Sequence, residues 1–285
     1  MPQTPTARAV DVLTPGDLPA LKDLLARDAA HRLFLSGVLA QHGIAPHPGS
    51  PAFYFLGERT GRSLSSVVFV GGDGELVVPA ADKAADLAPL LMRHATSVRL
   101  RATFGDQDAV ETVLRHWFPA APRKQIRNQR MFVVTADDLG PFTNPALRLA
   151  READIPRLIP MASAAAQEGL GETPWLDMSL DFAARVRHRV LDARTFVLEE
   201  AGELAFKVDL ASRSDHGAEL EGLYVAPAHR HRGHATLSLG QVCRQLLSKL
   251  PRLAMRIDDG HTATASVARR VGFLAQKVQR SFVSP

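Results

Sequence analysis

Cysteine, tyrosine and tryptophan are scarce in this chain, and long apolar runs are missing. The single cysteine, Cys243, excludes an internal disulfide framework and a site built from several thiolates, and its apolar helical surroundings predict a buried thiol. Tyrosine occurs only at Tyr54 and Tyr224, so few places can use a phenol for proton transfer. No run of about 18 apolar residues indicates a membrane span, and prolines and charges interrupt any signal-peptide core near the N-terminus. We therefore expect a cytoplasmic protein.

The composition is that of a soluble globular protein with room for two domains. The chain has 285 residues, of which 46% are hydrophobic and 22% are charged. Its net charge of +4 and its pI near 9.6 favour nucleic-acid binding as one alternative. The basic residues, however, are dispersed and interleaved with acidic ones, which makes DNA or RNA an unfavoured partner.

Two segments of the chain resemble each other. Thr14–Leu21 and Arg151–Leu158, which begin 137 residues apart, each place an Asp before a branched aliphatic residue, a Pro and a Leu, as expected where a helix begins. We interpret this as a tandem duplication whose linker lies within residues 137–145, giving domains at 1–140 and 141–285. The alternative is that helix-capping chemistry alone produces two such similar segments.

Both halves alternate strand-like and helix-like pieces. In the first half, Gly71–Gly74 is predicted to be a hairpin turn, Ala84–Ala95 a helix and Val98–Ala102 an extended segment. In the second half, hairpin strands are followed by a strand at Ala218–Val225 and a long helix up to Leu250. Hairpins followed by a crossover helix predict an α/β (α+β) fold, in which each domain has a mixed, mostly antiparallel sheet flanked by helices on both faces.

The most informative segment leads from Tyr224 to Thr236, where a strand end passes through a basic loop into a helix. The first N–H groups of a helix have no partner inside it, and the helix dipole adds partial positive charge there. Gly233 lets a ligand approach the main chain closely. The segment therefore predicts a phosphate-binding loop. Nothing comparable is found in the first half, where no strand runs into a basic, glycine-containing loop and then a helix.

Arg230-x-x-Gly233-x-Ala235 resembles the pyrophosphate loop of the GNAT superfamily of acyl-CoA-dependent N-acyltransferases. Val271-Gly272-Phe273 resembles the end of that family's last helix. The resemblance covers residues 146–282, and with the first half it extends to bacterial proteins in which a degenerate GNAT-like domain precedes an active-looking one. Phe206-Lys207-Val208-Asp209 and Gln167-Glu168-Gly169 fit that group.

The resemblance implies a binding site for acetyl-CoA. Main-chain groups of Leu223, Tyr224 and Val225 would hold the acyl carbonyl and the pantetheine amides. Arg230 or Arg232 could pair with the 3′-phosphate. The N–H groups that would cradle the pyrophosphate belong to Arg230, His231, Arg232, Gly233, His234, Ala235 and Thr236. His229, His231 and His234 have a spacing that also suits a metal, but a loop occupied by phosphate cannot easily converge three imidazoles, so we expect no metal.

Two positions depart from the family pattern. His261 stands where the family commonly has the Asn that touches the pantetheine arm, and a histidine can still donate one hydrogen bond there. Ala268 stands where the family often has the Tyr that protonates the departing thiolate. His261 is therefore a candidate for a catalytic as well as a binding role, alongside water or the substrate ammonium.

Carboxylates supply the candidate general base. Glu219 and Glu221 alternate onto one face of a predicted strand, where each should raise the pKa of the other, although outward-facing strand charges would look the same. Glu168 and Glu172 flank a loop at which the family admits substrates, so they could bind a cationic amine or be solvated. Lys207 is predicted to face outward from its strand.

The sequence thus predicts an N-acyltransferase that moves an acetyl group from acetyl-CoA directly to an amine, in a small molecule or a protein. The alternative is a non-catalytic acetyl-CoA-binding module with a regulatory or protein-interaction role, suggested by Ala268. The acceptor is not indicated, because related folds use the same coenzyme half with many acceptors.

Overall fold

The computed structural model describes residues 9–46, 53–61, 63–71, 75–78, 102–117, 125–170 and 179–283. The helix predicted at Ala84–Ala95, nearly all of the extended segment at Val98–Ala102, most of the Gly71–Gly74 turn and the acid Glu172 lie outside these residues. The chain forms two compact units. The N-terminal unit comprises the described residues up to Arg130 and those from Lys277 onward, and the C-terminal unit comprises Met131–Gln276.

In the N-terminal unit, two helices follow the first strand and the remaining strands complete a sheet. The strand order is β1-β2-β3-β4-β5-β12. A buried cluster including Leu21, Leu25, Phe55 and Phe69 forms its core. The elements are β1 (Ala9–Val12), α1 (Leu18–Ala26), α2 (Leu33–His42), β2 (Phe53–Thr60), β3 (Ser63–Gly71), β4 (Glu75–Val78), β5 (Ala102–Asp106), α3 (Gln107–Trp117), β6 (Gln125–Val134), which continues into the other unit, and β12 (Leu274–Val283).

In the C-terminal unit, the strand order is β6-β11-β10-β9-β8-β7. Its core unites residues of the strands with the apolar stripe of a long helix, where Leu239, Val242 and Cys243 are buried. Burial raises the pKa of the Cys243 thiol, so this cysteine is an inert packing residue, as predicted. The elements are β7 (Arg148–Leu149), α4 (Ile155–Leu170), α5 (Ser179–Leu191), β8 (Thr195–Glu200), β9 (Glu203–Ser214), β10 (Gly217–Val225), α6 (His234–Leu247), β11 (Leu253–Asp258) and α7 (Thr262–Val271).

The units divide inside β6 and β12, whereas the linker composition predicts a boundary after residue 140. Packing explains the difference. Phe132 and Val134 belong to the core of the C-terminal unit, and the N–H of Gly140 donates to Val271 O at 2.8 Å. At the other end, β12 pairs antiparallel with β5, with Gln279 opposite Asp106, so the last residues belong to the N-terminal unit.

The two units repeat one topology. β1, β2, β3 and β4 pair antiparallel in sequence and β4 pairs parallel with β5. In the same way, β7, β8, β9 and β10 pair antiparallel in sequence and β10 pairs parallel with β11. These mixed, mostly antiparallel sheets with helices confirm the predicted fold class. Within the part of the chain that the structure describes, no helix is long and apolar enough to cross a membrane.

The similar segments found in the sequence occupy equivalent places in the two units. Asp17 accepts a hydrogen bond from the N–H of Thr14, and Asp154 accepts one from the N–H of Arg151, each at 2.8 Å. Each aspartate also binds an arginine with both carboxylate oxygens, Asp17 with Arg59 and Asp154 with Arg148. The same cap with the same type of partner supports the duplication over capping chemistry alone.

Candidate functional site

The site begins where β10 stops pairing with β11. The two strands pair in parallel only from Ala218 to Leu220, opposite Leu253–Met255. On the other side, Glu221 faces Asp209 and Tyr224 faces Lys207, so two residues of β10 oppose one residue of β9. This β-bulge turns β10 away from its parallel neighbour and leaves the main chain of its last residues available to a ligand.

Gly222 makes the bulge possible. Its φ of +59° lies in the left-handed region. A Cβ at this position would lie 2.9 Å from Lys207 Nζ and 3.0 Å from the Asp209 carboxylate. Both the backbone conformation and the close approach of these side chains therefore require glycine.

The prediction that Lys207 faces outward is wrong, because its side chain is only 4% exposed. Its ammonium group donates to Asp209 Oδ2 at 2.6 Å and to the carbonyl oxygen of Gly222 at 3.0 Å. Asp209 is also bound by the hydroxyl of Thr195 at 2.8 Å. The lysine is thus fixed inward, since the buried carboxylate of Asp209 and the carbonyl of Gly222 both accept from its ammonium group.

After the bulge, the loop enters α6 through two residues with left-handed backbone conformation. His231 has φ +62° and Gly233, the N-cap of α6, has φ +83°. The first main-chain hydrogen bond of the helix runs from the N–H of Leu237 to Gly233 O at 3.0 Å. Among the described residues, no carbonyl accepts from the N–H groups of residues 231–236. Six consecutive free donors at a helix start form a strong site for an anion.

Five of these six residues, all except Arg232, line a cavity of about 630 Å³. Of the residues predicted to bind the coenzyme, the structure brings together in its lining Leu223, Tyr224, Val225, Arg230, His231, Gly233, His234, Ala235, Thr236 and His261. Arg232 is not among the lining residues, and its side chain is 57% exposed. The volume lies in the usual range of small-molecule and cofactor sites.

Arg230 is held by groups of the protein itself. Its Nε donates to Val225 O at 3.0 Å, and its Nη2 donates to both carboxylate oxygens of Glu168 at 2.9 and 2.7 Å. The guanidinium also lies over the ring of Tyr224, 5.3 Å from its centroid. These contacts fix the start of the loop against β10 and α4.

Glu168 contacts both Arg230 and Tyr224, so these three residues form a cluster. The Tyr224 hydroxyl donates to Glu168 Oε1 at 2.9 Å, and burial together with this carboxylate raises the pKa of Tyr224. Glu168 lines the cavity and its side chain remains 50% exposed. Spacing could not have found this cluster, because its acid lies 56 residues before its phenol.

The candidate bases Glu219 and Glu221 both bind arginines. Glu219 accepts from Arg256 at 3.0 Å; burial raises the pKa of Glu219, Arg256 opposes this rise and the Glu221 charge adds to it. Glu221 accepts from Arg189, whose pKa it raises further. The described residues that line the cavity include neither glutamate. A general base must reach its proton directly or through one water, so their proximity in sequence to the bulge does not by itself give them that role.

The last helix brings His261 to the cavity and keeps Ala268 away from it. His261 is the N-cap of α7, and its N–H donates to Asp258 O at 2.9 Å. The cavity-lining residues of this helix include Thr264, Val267 and Arg270. Ala268 is fully buried in the core of the unit. No hydroxyl therefore reaches the cavity from position 268.

The loop histidines separate into two environments. His229 Nδ1 lies 2.8 Å and His234 Nε2 lies 3.3 Å from Glu200 Oε2, at the end of β8, while His231 is exposed. Arg232 reaches the same oxygen at 3.3 Å. The His229 hydrogen bond is the main reason why the pKa of Glu200 is lowered. Glu200 has no sequence signal, since only the β8–β9 hairpin brings it to the loop.

Comparisons with known proteins agree with this geometry. Residues 163–273 match the family described as Acetyltransferase (GNAT) family. The fold is similar to that of an acetyltransferase from the GNAT family of Colwellia psychrerythraea, with 13% identity over 97% of this chain and 100% of that one and a TM-score of 0.57. A Drosophila protein gives a TM-score of 0.67 at 16% identity, covering 98% of this chain and 99% of its own.

A tandem GNAT protein from the clavulanic acid biosynthesis pathway is also similar, with a TM-score of 0.54 and 13% identity over 98% of this chain and 99% of that chain. No curated protein matches the sequence. The strand that splays at a bulge, the loop with free N–H groups and the family match coincide in one unit. Residues 163–273 therefore form a domain of the GNAT acetyltransferase family, in a chain with the fold of tandem GNAT proteins.

Proposed function

We propose that the protein is an acyl-CoA-dependent N-acyltransferase that uses acetyl-CoA and transfers the acetyl group directly to an amine. The observation that carries this proposal is the row of free N–H groups at residues 231–236, five of which belong to residues that line the cavity beside the β10 bulge. A diphosphate is the ligand that such a row suits best, because each unpaired amide can donate to one of its oxygens without any change in the loop.

In this proposal, the pyrophosphate lies on residues 231–236 and the pantetheine arm follows Leu223–Val225, with His261 beside it. Arg230 acts by holding the loop in place, since its guanidinium is already bound by Glu168 and Val225. Arg232, whose side chain is 57% exposed, would leave its 3.3 Å contact with Glu200 to pair with the 3′-phosphate. The acyl carbonyl would lie at the bulge, where Lys207 fixes the main chain.

Acyl transfer requires removal of a proton from the amine and delivery of a proton to the thiolate. Within the described lining of the cavity, Glu168 and Tyr224 form a hydrogen-bonded acid and base pair. Like an ordinary tyrosine, Tyr224 carries its proton at neutral pH, so its phenol can serve as the donor that Ala268 does not supply. Glu219 and Glu221 remain a second hypothesis for the base, and the amine acceptor stays undefined.

Calorimetry with acetyl-CoA tests the donor. We expect saturable binding by the wild-type chain, and release of free thiol, followed with a thiol reagent, when amines are added. Tyr224→Phe should lower turnover by about 10²-fold while acetyl-CoA affinity changes little, because the phenol acts on the departing thiolate and not on the diphosphate. Absence of binding heat would exclude both acyl transfer and acetyl-CoA binding.

The second candidate is a non-catalytic acetyl-CoA-binding module. It is favoured by Ala268, which is buried in the core and brings no proton donor to the cavity. Tight binding without thiol release from any amine, in a protein that retains its fold by circular dichroism, would support this alternative. Steady release of thiol that is lost in the Tyr224→Phe variant would exclude it.

A further inference from the structure

Three side chains from separate parts of the C-terminal unit point at one place. Glu200 ends β8, His229 ends a 3₁₀ turn at Pro227–His229, and His234 begins α6. One ligand atom of each residue lies within 4.8 Å of the other two. The left-handed conformations of His231 and Gly233 reverse the loop and bring the two imidazoles together, with ring centroids 6.2 Å apart.

The environment of His234 is unusual for a solvated loop residue. Its side chain is 13% exposed, and its Nε2 is buried without a hydrogen-bond partner although Glu200 Oε2 lies 3.3 Å away. The two atoms are close, but their geometry does not make a hydrogen bond. A buried nitrogen without a partner costs free energy unless something else binds it. A cation placed between Glu200 and the two imidazoles would bind it.

The donor set selects the kind of cation. Two imidazole nitrogens and one carboxylate oxygen suit zinc and its transition-metal neighbours, whereas Mg²⁺ and Ca²⁺ prefer oxygen alone. Zinc bonds of about 2.0–2.2 Å to such ligands place neighbouring ligand atoms roughly 3–3.5 Å apart. The Glu200 oxygen lies 2.8 and 3.3 Å from the two imidazole nitrogens, and these nitrogens lie within 4.8 Å of each other, so side-chain shifts can bring the three ligand atoms into this range.

One positive group opposes a cation here. Arg232 Nη1 lies 3.3 Å from the same carboxylate oxygen, but its side chain is 57% exposed and can turn into solvent. His231, the third histidine of the loop, is exposed and lies outside the group. The spacing of the loop histidines predicts no metal, because a loop occupied by phosphate cannot easily converge three imidazoles. In the structure the third ligand comes from another strand instead.

We propose that Glu200, His229 and His234 form a site for a divalent transition metal of the zinc class, with three protein ligands and one open position. Since His229 and His234 also line the cavity, that position is available to water or to a phosphate oxygen of a ligand bound there. The site depends on these three side chains and is independent of whether the protein transfers acyl groups. Because metal ligands must be deprotonated, protons compete with the metal for such a site.

Zinc titration of the full chain, after removal of metals with a chelator, tests the proposal. We expect about one Zn²⁺ per chain in competition with a chromophoric indicator, and weaker binding at lower pH. Glu200→Gln and His234→Gln should each weaken zinc binding by at least about tenfold. His231→Gln removes a histidine from the same loop but not from the site, and should leave the affinity unchanged.

Arg232→Gln gives the sharper control, because removing the competing cation should tighten zinc binding severalfold while the three ligands stay intact. Circular dichroism checks that each variant is folded. Wild-type binding no tighter than that of Glu200→Gln, or an effect of His231→Gln equal to that of His234→Gln, would overturn the site. Acetyl-CoA calorimetry is a separate measurement, so failure of the proposed function and failure of this site can be told apart.

Discussion

In the N-terminal unit, β4 pairs with β5 along all of its residues, Glu75–Val78 opposite Ala102–Gly105. In the C-terminal unit, the equivalent β10 pairs with β11 over three residues and then turns away at Gly222. The same topology thus gives a closed strand pair in one unit and an open one in the other. Among the described residues, a cavity lies beside the strand pair that the bulge separates.

The sequence that follows β10 also differs from the sequence that follows β4. β10 is followed by a basic loop with Gly233 and by six free N–H groups. The sequence after β4 contains no glycine between Gly74 and Gly105 and opens with Pro79-Ala80-Ala81-Asp82. A loop without glycine cannot easily take the left-handed turn that brings main-chain donors close to a phosphate. The duplicated fold has therefore kept the phosphate-loop sequence in one copy.

The largest expected effect comes from the lysine that holds the bulge. Lys207→Met leaves Asp209 buried without its main cationic partner and should lower the free energy of unfolding by about 3–5 kcal/mol, measured by urea denaturation. Lys277→Met is the matched control in the N-terminal unit. Its pair with Asp28 is 45% exposed on the lysine side, so the loss should stay within about 1 kcal/mol. Equal losses would contradict the special role of the bulge.

The next effect concerns the loop. Gly233→Val forces a β-branched residue to φ +83° at the start of α6 and should weaken acetyl-CoA binding by about 10- to 100-fold in calorimetry. Gly61→Val places the same residue at φ +65° in the N-terminal unit, where no atom lies within 4 Å of the added Cβ. This control should cost similar stability without changing the affinity for acetyl-CoA.

The smallest effect concerns Asp17 and Asp154, the equivalent aspartates at the helix starts of the two units. Asp17→Asn and Asp154→Asn each keep an acceptor for the capping N–H but remove the charge that binds an arginine, and should each destabilise the protein by about 1–2 kcal/mol at pH 7. The Arg59 hydrogen bond lowers the Asp17 pKa from 3.8 to about 2. Because the folded pKa is depressed, this contribution is full above pH 3.8 and disappears as the pH falls through 2.

The pH dependence provides the measurement. Denaturation curves of wild type and Asp17→Asn should differ at pH 7 and converge as the pH approaches 2, where Asp17 is protonated. Asp154 should behave in the same way, since its bond to Arg148 also holds its pKa below the usual range. A constant difference at both pH values would show that the charge on these aspartates is not what stabilises the two helix starts.

Local patterns were sufficient for much of the fold. Caps and apolar periodicity predict a helix start near that of α4 and a long helix near α6, after a hairpin that corresponds to β8 and β9. The boundary predicted after residue 140 differs from the observed division between the units. Proline and glycine mark loops, but they do not show which core the flanking strands join. β6 and β12 cross between units inside continuous strands, which leaves no compositional signal.

The candidate site, too, has one part that the sequence predicts and another part that it does not. Its main-chain part was predictable, since Arg230-x-x-Gly233-x-Ala235 after a strand determines where free N–H groups occur. Its side-chain part was not. Lys207 was predicted to be exposed, and neither the Glu168–Tyr224 pair nor the meeting of Glu200 with two histidines follows from spacing. Such contacts join residues that are 29 to 56 positions apart, so only the folded sheet brings them together.

The sequence by itself determined much of the strand and helix order, the buried cysteine and the loop of free N–H groups before α6, because caps, periodicity and glycine conformations act within a few residues. The tertiary structure alone decided which carboxylates lie at the cavity and which are bound by arginines. It also decided that Lys207 faces inward. Burial and charge pairing depend on what the neighbouring strands and helices place around a side chain, and that arrangement exists only after the sheet has formed.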